Sequence, residues 1–116
     1  PVFETENGYV GTPAVIDKDR SSALMAAELG ADMLIILTGE ECVYKNYGTD
    51  KQEPIREMTC AQAQKYMAER ELVRTCSRRL RRTLYIGDYA TRQVLITKLG
   101  SIEAAMAGQT GTIIKK

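Results

Sequence analysis

The sequence predicts an α/β sandwich of three layers, with a mainly parallel central sheet between helices. Three observations carry this. Two apolar runs of strand length, "MLIILT" (33–38) and "RQVLIT" (92–97), lack polar alternation, as strands covered on both faces do. Segments with helical periodicity and readable ends lie between the strands. The order is hairpin, helix, strand, helix, helix, strand, helix, strand, and such alternation favours a parallel sheet.

The first segment, "PVFETENGYVGTPAV", is expected to form a β-hairpin, with Asn7-Gly8 as the positive-φ turn between two short apolar runs. A strand that starts at residue 1 also suits a truncated domain. "DKDRSSALMAAELGAD" (17–32) is the first helix. Asp19, Ser21 and Ser22 offer cap oxygens, Leu24, Ala27 and Ala31 share a face, and Gly30 marks the stop. The strand 33–38 follows. "GEECVYKNYGTDKQEP" (39–54) is expected as a long polar loop, punctuated by Gly39, Gly48 and Pro54. "TCAQAQKYMAE" is a helix capped by Thr59, "GSIEAAMAG" a short capped helix after the strand 92–97, and "GTIIKK" the last strand.

The 116 residues suit one domain, 44% hydrophobic and 27% charged. No apolar run approaches bilayer length, and the first residues lack the basic and apolar segments of a secretory leader. Histidine is absent, which excludes the usual catalytic triads, and the three cysteines (Cys42, Cys60, Cys76) have no metal-ligand spacing. Free thiols in a reducing cytoplasm are expected, with no metal bound by the protein and no membrane partner.

Charge is concentrated. Six arginines and one acid lie between Arg70 and Arg82, while the remainder holds 10 basic and 14 acidic residues. "RTCSRRLRRT" (74–83) could be an arginine-rich RNA-binding helix or a solvated basic face. Nucleic-acid binders more often spread their cations over a surface mixed with aromatics, so a nucleic-acid partner is not expected.

In open parallel sheets, ligands sit beyond the carboxyl ends of the strands. Three places meet that description: Asp17-Lys18-Asp19, the loop from Thr38 to Thr49, and the turn after Thr97. A lysine where a strand gives way to a helix can neutralise a phosphoryl group in transfer, and a neighbouring carboxylate can hold its ammonium. A solvated turn with Asp19 as helix cap is the more common account of such a tripeptide by itself. "VYKNYG" offers rings that stack on a base and an asparagine that reads its edge, or simply two half-buried tyrosines. No glycine-rich phosphate loop of the GxGxxG or GxxxxGK type occurs.

Taken together, "GYVGTPAVIDKDRSSALMAAELGADMLIILT" and "VYKNYGT" resemble the carboxyl-terminal part of carbamate kinases, in the amino-acid kinase superfamily. The resemblance runs from Pro1 to about Glu69 and resumes near Thr83 through "RQVLITKLGSIEAAMAGQTGTII". It implies an amino-acid-kinase-like fold and phosphoryl transfer between ATP and carbamate, including ATP formation from carbamoyl phosphate and ADP with Mg2+ accompanying the nucleotide. It implies that Lys18 contacts the transferring phosphoryl group, that Asp19 orients the lysine, and that Thr38, Tyr44, Asn46, Tyr47 and Gly48 line the nucleotide pocket. A homodimer is implied for the full-length family. Glu40-Glu41 stand where the family has Val-Asp, and Asp50 where a proline is common. The family's amino-terminal half has no counterpart here, so the isolated chain is expected to be inactive. A relative acting on acetylglutamate, aspartate or uridylate is the alternative within the superfamily.

The family carries a Gly-Ser-Met-x-Pro-Lys segment where this chain has residues 75 to 82. Thr-Cys-Ser-Arg-Arg-Leu-Arg-Arg can be encoded ACA TGC TCC CGA AGA TTG AGG CGN. In a shifted phase the same bases read ATG CTC CCG AAG ATT GAG GCN, which is Met-Leu-Pro-Lys-Ile-Glu-Ala. Residues 73–82 are therefore expected to be an out-of-frame segment inside a single domain spanning 1–116.

Overall fold

The computed structural model describes residues 1–68 and 93–115. The arginine-rich stretch, the expected out-of-frame segment 73–82 and the helix expected to follow Glu69 lie outside the described residues. Among the described residues the elements run β1 (Val2–Thr5), β2 (Gly8–Gly11), α1 (Lys18–Glu28), β3 (Met33–Thr38), β4 (Val43–Lys45), β5 (Glu53–Ile55), β6 (Glu57–Thr59), α2 (Cys60–Ala68), β7 (Gln93–Lys98), α3 (Ile102–Met106) and β8 (Thr112–Lys115).

The main sheet has the order β3-β7-β8-β6. β3 with β7 and β6 with β8 are parallel, whereas β7 with β8 is antiparallel. α1 lies against β3, α2 against β6 and β8, and α3 against β7. This is the α/β arrangement expected, mainly parallel but mixed, because the short α3 returns the chain beside β7 in the opposite sense. The core gathers Ile36, Val43, Met58, Ala63, Val94, Ile96 and Ile114, with Leu34, Ile55 and Tyr66 packed against it. β7 is the buried strand foreseen, with Val94, Leu95, Ile96 and Thr97 all buried.

Several expectations are corrected. The β1–β2 hairpin forms, but Thr5 pairs with Gly8, so its two connecting residues are Glu6 and Asn7. Gly8 (φ 106), not Asn7, takes the positive φ. The cap of α1 is Asp17, whose Oδ1 accepts from the Arg20 amide at 3.0 Å, rather than Asp19, Ser21 or Ser22. Its buried face is Ala23 and Ala26, while Leu24 points outward. Small residues on that face let the helix approach β3 closely. The stop at Gly30 forms as expected: the Gly30 amide donates to Ala27 O and the Ala31 amide to Ala26 O, a Schellman closure with Gly30 at φ 61.

β3 is not covered on both faces, since it lies at a sheet edge and Ile35 is partly exposed. The expected loop 39–54 contains the antiparallel pair β4–β5, and β6 after it was not anticipated. Runs of three residues that alternate polar and apolar side chains are too short to stand out as strands. Thr59 does cap α2, and reciprocally: the Gln62 amide donates to Thr59 Oγ1 while the Thr59 amide donates to Gln62 Oε1. Ser101 occupies the cap position of α3 without a side-chain capping hydrogen bond.

Candidate functional site

The candidate residues of the two main motifs lie toward one end of the sheet, where β3 finishes and α1 begins. α1 spans about 16 Å at the usual rise per residue, and the tight closure at Gly30 reverses the chain into β3. The first turn of α1 and the last residue of β3 therefore lie at the same end of the layer, where ligands of α/β sheets bind.

Asp17, Lys18 and Asp19 have three separate roles at that end. Asp17 caps the helix. Asp19, one turn in, is only 4% exposed. Its Oδ1 accepts from the Lys18 ammonium, whose side chain is 67% exposed. A buried carboxylate thus holds the terminal ammonium of a lysine whose side chain is largely exposed. Burying a carboxylate carries a desolvation cost that a cap does not require, because Asp17 already fills that position. The dipole of α1 adds positive potential at its start, where an anion would meet the lysine.

The tyrosine loop is ordered by its own side chains. Thr38, buried at the end of β3, accepts from the Glu40 amide and donates to the Glu40 carbonyl, at 3.0 and 2.9 Å. Tyr47 donates to the Glu40 carboxylate at 3.0 Å. The Tyr44 and Tyr47 rings lie 5.8 Å apart, tilted by 53°. Asn46 (φ 50) and Gly48 (φ 76) turn the chain between β4 and β5, and the Gly48 amide donates to Gln52 Oε1. Lys45 lies with its ammonium 5.3 Å from the centre of the Tyr66 ring, which ties this hairpin to α2. The hydrogen bond with Cys42, followed by burial and by negative charge at Cys42, Glu40 and Glu41, pushes the Tyr44 phenol up to about 12. Tyr44 is thus a neutral ring at physiological pH.

Thr38, Tyr44, Asn46, Tyr47 and Gly48 lie along one stretch, from the end of β3 through β4 into the turn before β5. Glu40 and Glu41 belong to it too: each holds a hydroxyl, Tyr47 on one side and Thr110 on the other. Sequence reading noticed these acids only as departures from a pattern, because their partners are 7 and 69 residues away. The third expected place, the turn after Thr97, supplies a buried Thr97 hydroxyl with no hydrogen-bond partner among the described residues. No group of three potential metal ligands occurs among the described residues.

This arrangement can hold a flat aromatic ligand near two tyrosines and present a tethered cation to an anionic group. A sequence model of the amino acid kinase family matches residues 2–111. The carbamate kinase of Staphylococcus haemolyticus is 41% identical over the whole of this chain, and carbamate kinase 3 of Staphylococcus aureus 37% identical over 99% of it. The chain spans 38% of the length of each of these relatives. Carbamate kinase from Giardia lamblia bound to AMP-PNP superimposes with a TM-score of 0.85 at 25% identity, over all of this chain and 41% of that one.

Proposed function

The chain belongs to the amino acid kinase family, and from that premise we propose that it forms the nucleotide-binding part of a carbamate kinase. The reaction is phosphoryl transfer between ATP and carbamate, run toward ATP when carbamoyl phosphate and ADP are supplied. The observation that carries this is the Lys18–Asp19 pair. A carboxylate 4% exposed, in the first helical turn yet not capping it, anchors a solvent-reaching ammonium.

In phosphoryl transfer there is little covalent work for a protein to do, so positioning and charge dominate. Lys18 balances the charge of the phosphoryl group as its bond to the carbamate oxygen breaks and its bond to the terminal ADP oxygen forms. Asp19 fixes the ammonium so that little reorganisation accompanies that step. Tyr44 and Tyr47 pack against the base, Asn46 offers it an amide, and Thr38 and Gly48 set the floor and the turn of the pocket. Mg2+ would come with the nucleotide and supply positive charge to its phosphates. In this proposal the enzyme is a cytoplasmic homodimer, and the carbamate-binding side comes from residues beyond these 116.

The test is ATP formation from carbamoyl phosphate and ADP by this chain combined with the amino-terminal segment of a carbamate kinase. Activity is expected from the combination, none from the chain by itself, and none from the combination carrying Lys18→Ala. Turnover of acetylglutamate, aspartate or uridylate in place of carbamate would overturn the substrate assignment.

A further inference from the structure

We propose that Thr112 is a positioning residue for the nucleotide site, its hydroxyl holding the β4–β5 hairpin against the core sheet. This rests on the assignment of that hairpin to the nucleotide. Val43 and Ile55 are register partners across β4 and β5. The Thr112 hydroxyl stands between them, accepting from the Val43 amide at 2.8 Å and donating to the Ile55 carbonyl at 2.5 Å. Thr112 and Val43 are both fully buried. A short side chain that donates and accepts at once is restricted to serine and threonine, and valine would leave a buried amide and carbonyl unmet.

The neighbouring residues strengthen the same grip. Thr110 donates to Glu41 at 2.9 Å and accepts from Arg56 at 3.2 Å. The Ile113 amide donates to the Arg56 carbonyl at 2.9 Å. Between them, Gly111 is pressed so closely onto the core that an added Cβ would lie 3.1 Å from the Ile96 carbonyl and 3.2 Å from Ala105. The turn is thus fixed to β7 and α3 on one side, and grasps both ends of the tyrosine hairpin on the other. Residues touching no ligand would in this way set where Tyr44, Asn46 and Tyr47 stand.

The experiment compares the chain with Thr112→Val, Thr112→Ser and Thr110→Val. ADP affinity is measured by calorimetry, and backbone hydrogen exchange is followed in the nucleotide-free protein. Thr112→Val is expected to weaken ADP binding about tenfold and Thr110→Val about threefold, in line with the loss of one or two hydrogen bonds. Thr112→Ser should stay within about twofold of the parent, since it keeps both bonds. Exchange should quicken at residues 43–47 in both valine variants and stay unchanged in α2, which a general loss of stability would not produce. Should Thr112→Val fail to fold, the surface variant Thr110→Val decides by the same two readouts. Unchanged ADP affinity and unchanged hairpin exchange in the folded valine variants would overturn the proposal. Faster hairpin exchange in a chain whose parent binds no ADP would instead refute the nucleotide assignment, and the positioning role with it.

Discussion

Replacing Asp19 by asparagine separates a site carboxylate from a structural one. The side chain keeps its shape but loses the charge that holds Lys18. A hydrogen bond to a charged group contributes about 1.5–3 kcal/mol when well buried. Lys18 is 67% exposed, however, and pairs with one end in solvent contribute only about 0.2–1 kcal/mol. Removing a carboxylate from a site 4% exposed also relieves desolvation, which offsets part of that loss. The expected change in unfolding free energy by urea titration is therefore within about 1 kcal/mol. Ligand binding should respond more. An ammonium about 4 Å from a phosphoryl charge contributes about 1–4 kcal/mol between bulk-water and near-surface screening. Untethering it should weaken AMP-PNP binding about tenfold at low ionic strength, with ADP affected less. Lys18→Ala should match or exceed that loss, and the double variant should add little, because the two residues act as one unit. Asp17→Ala is the contrasting case: loss of the cap costs about 1 kcal/mol of stability and leaves AMP-PNP affinity in place. An Asp19→Asn protein destabilised by well over 2 kcal/mol, with AMP-PNP affinity intact, would show that Asp19 serves the fold alone.

Gly111→Ala should cost about 2–4 kcal/mol in thermal unfolding, from φ 79 combined with close contact to Ile96, Ala105 and Leu95. Gly100→Ala, at φ 91 with nothing near its added Cβ, should cost about 1 kcal/mol; equal costs would refute the crowding at Gly111. Tyr44 should ionise near 12, above the usual 10, and Tyr44→Phe should remove that step from the tyrosinate absorbance curve. Because its folded value is raised above the usual 10, its contribution to stability is complete below pH 10 and declines as pH rises from there through about 12. Sequencing the DNA across codons 73–82 should return bases that read Met-Leu-Pro-Lys in a shifted phase; no such phase would end the frameshift proposal.

Much of this was legible in the sequence because it depends on local chemistry. The run "VLIT" suits a buried strand, Gly30 marks the end of α1, and Thr59 caps α2, while the returning bond to Gln62 emerged only in the fold. Asp17 and Asp19 could not be told apart from composition, since either carboxylate can cap a helix that starts one residue earlier or later. The β4–β5 hairpin and the Thr112 hydroxyl escaped notice for another reason. The hairpin's strands are three residues long, and the Thr112 bonds join residues 57 and 69 positions apart, a separation no periodicity carries. The antiparallel pairing of β8 is likewise a property of the return path after α3. Tyr44 and Tyr47 are marked as site residues only by the family resemblance, and the bond from Tyr47 to Glu40 is visible only in the folded loop.

The most direct test of the account is an amide and side-chain NMR titration of the 116-residue chain with ADP. Saturable shifts concentrated at Thr38, Tyr44, Asn46, Tyr47 and Gly48 are expected, extending to Lys18 when AMP-PNP replaces ADP. Saturable binding that leaves those residues unmoved, or no binding by the folded chain at all, would contradict it.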